Sequence, residues 1–266
     1  MQLRTIFTYG LGIGLFFLVS TAKGQLNCPP TGKIENNGRF NITLGTGPTL
    51  LFSDINNGRN MGVAGVLKVE YQIYKGIFAG LEAQVGVLNS YGKNYDNESL
   101  AIDYVNRDPR FVKNYMLSGN VNVTVYPGLF FVDESRDFRT PSISSLIGRG
   151  LYLGFAFGGI INQYDELYRD FDNPYTDGEF ERDQNGELRY RTPTRDYLWP
   201  IANVGLALPL NKYSSYSGRY WSLVFNIQQA FSTGDQLDGY RTGRTTEGSY
   251  SKDSYNFSYL ALKYTF

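Results

Sequence analysis

The stretch Tyr-Asn-Phe-Ser-Tyr-Leu-Ala-Leu-Lys-Tyr-Thr-Phe, Tyr255 to Phe266, decides the fold. Counted back in twos from its last residue, Phe266, Tyr264, Leu262 and Leu260 are large and apolar. The alternate residues Thr265, Lys263 and Ala261 are polar or small, until Tyr259. A period of two with one apolar face is the pattern of a β-strand that keeps one side out of water. As the last strand in the sequence it has to pair backwards. The simplest partner is the first strand, and that pairing closes a barrel with no open edge.

Working outward, the same alternation recurs seven times. The first strand is expected over Arg39 to Phe52, with Phe40, Ile42, Leu44 and Leu50 on one face. In the second, Val63, Leu67, Val69, Tyr71 and Ile73 alternate with Ala64, Val66, Lys68, Glu70 and Gln72; in the third, Leu81, Ala83, Val85 and Val87 alternate with Gly80, Glu82, Gln84 and Gly86. Matching the two apolar faces places Ile73 opposite Ile77, around a three-residue loop Tyr74-Lys75-Gly76. Its glycine falls where such a hairpin needs a left-handed residue. That register puts Lys68 directly opposite Glu82, with Glu70 two residues along on the same face. Further strands are expected over Tyr115 to Tyr126, Leu151 to Gln163, Tyr197 to Leu210, Arg219 to Phe231 and Tyr255 to Phe266.

The fold class is therefore all-β, an eight-stranded antiparallel up-and-down transmembrane β-barrel, its connections alternately long and short. One connection breaks the alternation. Pro127 to Gly150 falls on the side of the short turns, and either it is an insertion there or a hairpin around Leu129 to Val132 raises the count to ten strands. Within the long loop Tyr164 to Asp196, Asp183-Gln184-Asn185-Gly186 is expected to turn a small projecting hairpin.

Residues 1–24 read as a signal peptide. Arg4 gives a weakly basic start, Ile6 to Val19 are an apolar run too short for the ~20 residues of a transmembrane helix, and Ala22-Lys23-Gly24 is a small-x-small cleavage site. Residues 25–38 form an irregular leader and 39–266 the barrel. Cys28, the single cysteine, excludes an internal disulfide; its lipidation is the competing reading, disfavoured by Asn27 before it. Formal charge balances at zero, so no basic field invites nucleic acid.

The polar faces decide which side of the sheet meets lipid. They are rich in Gly, Ala, Ser and Asn, which a narrow interior holds, and they carry Lys68, Glu70, Glu82 and Lys263. Tyr or Trp recurs near strand ends (Tyr74, Tyr91, Tyr115, Tyr126, Tyr164, Trp199, Trp221, Tyr255), where membrane interfaces lie. The alternating terminal strand ending on Phe266 resembles the C-terminal insertion signal of bacterial outer-membrane barrels, with Ala261 where that pattern often has Gly. From Arg39 to Phe266 the chain looks like the small OmpA and OmpX type of barrel, in a loop-heavy, Tyr-rich style similar to Bacteroidetes barrels. The resemblance implies export to the outer membrane, contact with its lipid, and an insertion machinery that reads Leu260, Leu262, Tyr264 and Phe266.

The chain contains no histidine. The barrel enzymes of the palmitoyltransferase, deacylase, phospholipase and omptin types use His as general base or its partner, so no catalytic residue is assigned. Asp170, Asp172 and Asn173 lack the order of a dedicated calcium loop, and no cofactor or metal is expected. Three functions remain open: a membrane anchor displaying long loops for binding or envelope integrity, a narrow pore, and a subunit of a larger envelope complex with a surface or periplasmic protein partner. For the lumen, an ion pair of Lys68 with Glu82, shared with Glu70, is expected to form a side-chain plug.

Overall fold

Alternation over eight segments leaves each strand one face to bury and one to expose, and a closed sheet does both at once. The computed structural model describes residues 39–53, 55, 57–97, 99–100, 106–130, 143–167, 180–182, 188–190, 193–210, 219–234, 236–239 and 252–266. The expected signal peptide, the leader and Cys28 lie outside them, as do Asp170, Asp172 and Asn173.

Eight long strands form the barrel: β1 (Phe40–Phe52), β2 (Met61–Tyr74), β3 (Ile77–Gly92), β4 (Phe111–Val125), β5 (Leu151–Leu167), β6 (Thr194–Pro209), β7 (Tyr220–Ser232) and β8 (Ser254–Thr265). Each pairs antiparallel with its sequence neighbours, and β1 pairs with β8, from Asn41 opposite Thr265 to Phe52 opposite Ser254. The sheet has no free edge among these strands. A short strand Asn57–Arg59 pairs antiparallel with the end of β3 at Gly92 and Tyr91, and Phe180–Arg182 pairs with Leu188–Tyr190 as a separate hairpin. That hairpin flanks the expected turn at 183–186, itself outside the described residues.

Among the described residues, the Pro127 to Gly150 connection holds no strand. Its described parts are two helices, α1 (Pro127–Phe130) and α2 (Ile143–Gly150). The barrel therefore has eight strands. Pro127 fits the first helical position, where its missing N–H costs nothing. Among the described residues no helix is long and apolar enough to cross a membrane. That statement does not touch strands.

The β2–β3 turn shows one correction. The register either side of it is as read from the sequence, Lys68 opposite Glu82 and Val69 opposite Leu81. At the tip, however, Ile77 pairs with Tyr74 rather than Ile73, and the slip is taken up between Gln72 and Tyr74. Gly76 sits at φ 75°, the left-handed conformation that only glycine adopts without strain, so the turn closes one residue tighter and Ile73 becomes a bulge.

Burial separates the faces cleanly. Along β4 the outward Tyr115, Leu117, Val121 and Val123 are exposed, whereas Asn114, Ser118, Asn120, Asn122 and Thr124 are buried. Leu44, Ile73, Leu81 and Phe155 are about two-thirds exposed (65–66%), while Lys68, Glu70, Glu82 and Lys263 are at most 5% exposed. A water-soluble barrel has the opposite polarity. The fold is an eight-stranded up-and-down barrel of the transmembrane type, apolar outside and polar within.

Candidate functional site: the packed lumen

In an eight-stranded barrel the interior is just wide enough for its own side chains, and here they divide into two regions. One is the end that holds Phe40 and Thr265, the terminal end. The other is the opposite end, where the long loops emerge.

The terminal half carries the charges. Lys68 Nζ lies 2.8 Å from Glu70 Oε1 and donates to Thr124 Oγ1 at 2.9 Å; Thr124 in turn donates to the same Glu70 oxygen at 2.6 Å. Gly80 stands opposite Glu70 and supplies no side chain, so Thr124 reaches Glu70 from the next strand over. Lys263 donates to the Tyr126 hydroxyl at 3.0 Å and stands 4.9 Å above the ring of the same tyrosine. Tyr126 packs between Phe78 and Tyr152, at 5.4 Å and 5.2 Å. Tyr152 donates to Asn226 Oδ1 at 2.8 Å.

Lys68 and Glu82 are cross-strand neighbours, yet the ion pair runs along β2 to Glu70 and not across to Glu82. Residues two apart in a strand share a face, and the glycine beside Glu70 opens room for the shared threonine. Glu82 is held by amides instead. Its Oε1 accepts from Gln84 at 2.7 Å, Gln228 at 3.2 Å and Asn120 at 3.5 Å. Gln84 also donates to Gln228 at 2.8 Å and accepts from the Tyr255 hydroxyl at 3.0 Å. This amide belt crosses the lumen from β3 to β7 and β8, pairing residues as far as 171 positions apart.

The loop half sets apolar side chains among buried polar ones. Leu51, Leu88, Val112, Met116, Tyr255 and Phe257 point inward and are 0–2% exposed. Over them lies a segment of the β7–β8 connection. Leu237 is fully buried, and its N–H and that of Asp238 donate to Asp253 Oδ2 at 2.8 Å and 3.3 Å. Asn114 Nδ2 donates to the Leu237 carbonyl at 2.8 Å, and Tyr164 donates to the Gln236 carbonyl. At the start of the same connection Asp196 accepts from Ser232 Oγ, from Thr233 Oγ1 at 3.1 Å and from the Gly234 N–H at 3.2 Å. The described part of the connection is thus tied to the barrel mouth as a strap.

Sequence reasoning missed this strap. Its signal was present: Tyr255 and Phe257 fall on the inward face of the terminal strand, where a wholly polar lumen has no use for them. On the outward face of that strand Leu260, Leu262 and Phe266 are 42–48% exposed. Phe266 packs on Phe40 and Tyr264 at 5.7 Å and 4.9 Å. Among the described residues no group of three or more His, Cys, Asp or Glu is placed to hold a metal.

The sequence matches no protein-family model, and no curated protein matches it. Solved structures with a similar chain trace include Neisserial surface protein A, at 10% identity and TM-score 0.41, covering 85% of this chain and 97% of that one. Another is Ail, the attachment invasion locus protein of Yersinia pestis, solved with the heparin analogue sucrose octasulfate. It is 10% identical, with TM-score 0.40, and covers 86% of this chain and 99% of its own. At such distances neither likeness bears on what this chain binds.

Proposed function

We propose that this chain is a non-enzymatic outer-membrane β-barrel, a rigid anchor with a sealed lumen that displays its long loops at the cell surface. One observation carries the reading: the barrel is inside out relative to a soluble one, with exposed Leu, Phe, Ile and Trp around its girth. Apolar patches of that extent mark a membrane surface. The terminal end then faces the periplasm and the loop end the exterior. Amide belt and strap close the lumen in series, which favours anchor over pore.

A barrel whose backbone groups all pair within a closed sheet resists detergent until heated. The mature protein should fractionate with outer membranes and migrate differently boiled and unboiled in SDS. Single mobility together with a soluble periplasmic location would refute the reading. In planar bilayers it should give no resolved conductance steps; steps would favour the pore.

The exposed terminal strand supports a second element of the proposal, recognition of Leu260, Leu262, Tyr264 and Phe266 by the barrel-insertion machinery. Removing Phe266 should lower the amount of assembled barrel in the membrane while total synthesis is unchanged. At the periplasmic end Phe130 and Ile147 on the two helices are 40% and 46% exposed, and this favours a periplasmic partner as the second reading. Co-purification in mild detergent, lost on Ile147→Ser, would support it.

A further inference from the structure

Outward polar side chains belong at the two ends of a membrane barrel, where water begins. On three adjacent strands they also stand between the ends: Thr46 on β1, Gln229 on β7, and Asn256 and Ser258 on β8. Their height follows from the register. Barrel strands are tilted, so a row of paired residues climbs as it goes round. The pairing of Thr46 with Leu260 and of Thr49 with Phe257 carries Ser258 to Pro48. From there the row runs through Val63 and Val87 to Tyr115, near the loop end. The other way it runs through Ile227, Val204 and Leu153 to Val125, at the terminal end. β8 and β4 are diametrically opposed, so Ser258 stands level with the middle of β4, halfway down the lipid-facing band. At that height the other walls show Leu67, Val85, Val121, Phe157 and Val204, all exposed.

The polar side chains satisfy one another in part. Ser258 Oγ donates to Asn256 Oδ1 at 3.0 Å, and Asn256 Nδ2 donates to Gln229 Oε1 at 3.4 Å. The relay ends on Gln229 Nε2, which finds no acceptor among the described residues. Thr46 donates to the Ala64 carbonyl at 2.9 Å and keeps a lone pair to accept with. Acyl chains offer neither donor nor acceptor, and polar groups facing them are costly.

We propose that this face is the contact between two copies of the chain lying side by side in the membrane. The inference rests on the barrel reading above and adds a partner to its wall. A two-fold axis along the membrane normal keeps every residue at its own height. β8 then meets β8, and Asn256 faces Asn256, an amide that both donates and accepts. β7 of each copy meets β1 of the other, and the register brings Gln229 level with Thr46 to within about 3 Å, one residue's rise. The amide donor left over on one copy thus meets the hydroxyl acceptor left over on the other, twice. Ser258 and Thr46 are small, and small side chains let surfaces approach closely in lipid.

The test uses the full mature chain in its own membranes and in density-matched micelles. A photoreactive benzophenone side chain in place of Ser258 should cross-link to twice the monomer mass, and in place of Val121, on the opposite wall, it should not. By sedimentation equilibrium the wild-type protein should dimerise, and Asn256→Leu combined with Gln229→Leu should weaken the dimer about tenfold or more. Leucine suits a lipid-facing position, so the variant should keep its different boiled and unboiled mobilities. A monomeric wild-type protein, a cross-link to a product of another mass, equal cross-linking from Val121, or a dimer unaffected by the double variant would each overturn the proposal. The barrel reading survives all of these and fails only with the mobility difference itself.

Discussion

The two halves of the lumen solve one packing problem with different chemistry. At the terminal end the charged and phenolic side chains Lys68, Glu70, Tyr126, Tyr152 and Lys263 are positioned by hydrogen bonds that depend on distance and angle. At the loop end Leu51, Leu88, Met116 and Phe257 fill space by shape, and the strap's Leu237 completes the fill. Directional contacts hold strands at fixed heights relative to one another. Apolar contacts tolerate sliding but lose stability with every void. The terminal half thus sets the register of the barrel, and the loop half supplies its water-excluding core.

That contrast can be broken first at Glu70. Glu70→Ala takes from the buried Lys68 the carboxylate it pairs with, a loss of about 3–5 kcal/mol, read as a lower urea midpoint in micelles. The double variant Glu70→Ala with Lys68→Met should recover part of it, because it removes one stranded charge. At the opposite end Phe257→Ala should cost about 3–4 kcal/mol by opening a cavity, and here a polar partner replacement rescues nothing. Equal rescue at both sites would dissolve the distinction between the halves.

The strap gives a smaller effect. Asp253→Ala removes a carboxylate that accepts two backbone N–H groups, so a loss of about 1.5–3 kcal/mol is expected. It should appear as faster hydrogen exchange at Leu237 and Asp238 with little change at Glu70. The smallest effect is at Glu82. Glu82→Gln keeps the shape and the amide contacts and strands no ammonium, so about 1 kcal/mol or less is expected. A loss as large as that of Glu70→Ala would restore the cross-strand ion pair that register alone suggested.

Register and ion pairing separate what the sequence shows from what it conceals. Gly76 and the alternating faces suffice to place Lys68 opposite Glu82, because strand pairing follows from backbone periodicity and turn chemistry. Which carboxylate the ammonium chooses depends on side-chain rotamers and on Thr124, contributed from 56 positions away. Nothing local encodes that. The helices of the Pro127 to Gly150 connection were hard to read for a related reason: they are too short to establish a 3.6-residue period. Tyr126 and Tyr255, read as strand-end aromatics at the membrane interface, are buried in the lumen instead; the place of Tyr255 and Phe257 needed the strap that covers them, and its anchors Asp196, Asn114 and Asp253 are scattered over the chain.

The seam between β1 and β8 has a kinetic consequence. Thr265 Oγ1 donates to Asn41 Oδ1 at 2.7 Å across 224 residues, and the Phe266 N–H donates to the Phe40 carbonyl at 2.9 Å. Every other pairing of the long strands joins consecutive strands and can form as a growing meander. This one closes a loop nearly as long as the barrel itself, and its entropic cost falls due before any of its own contacts form. Closure is accordingly the late, slow event of assembly. Until it occurs, β1 and β8 each present a bare ladder of backbone donors and acceptors, a docking edge for whatever escorts the chain to its membrane.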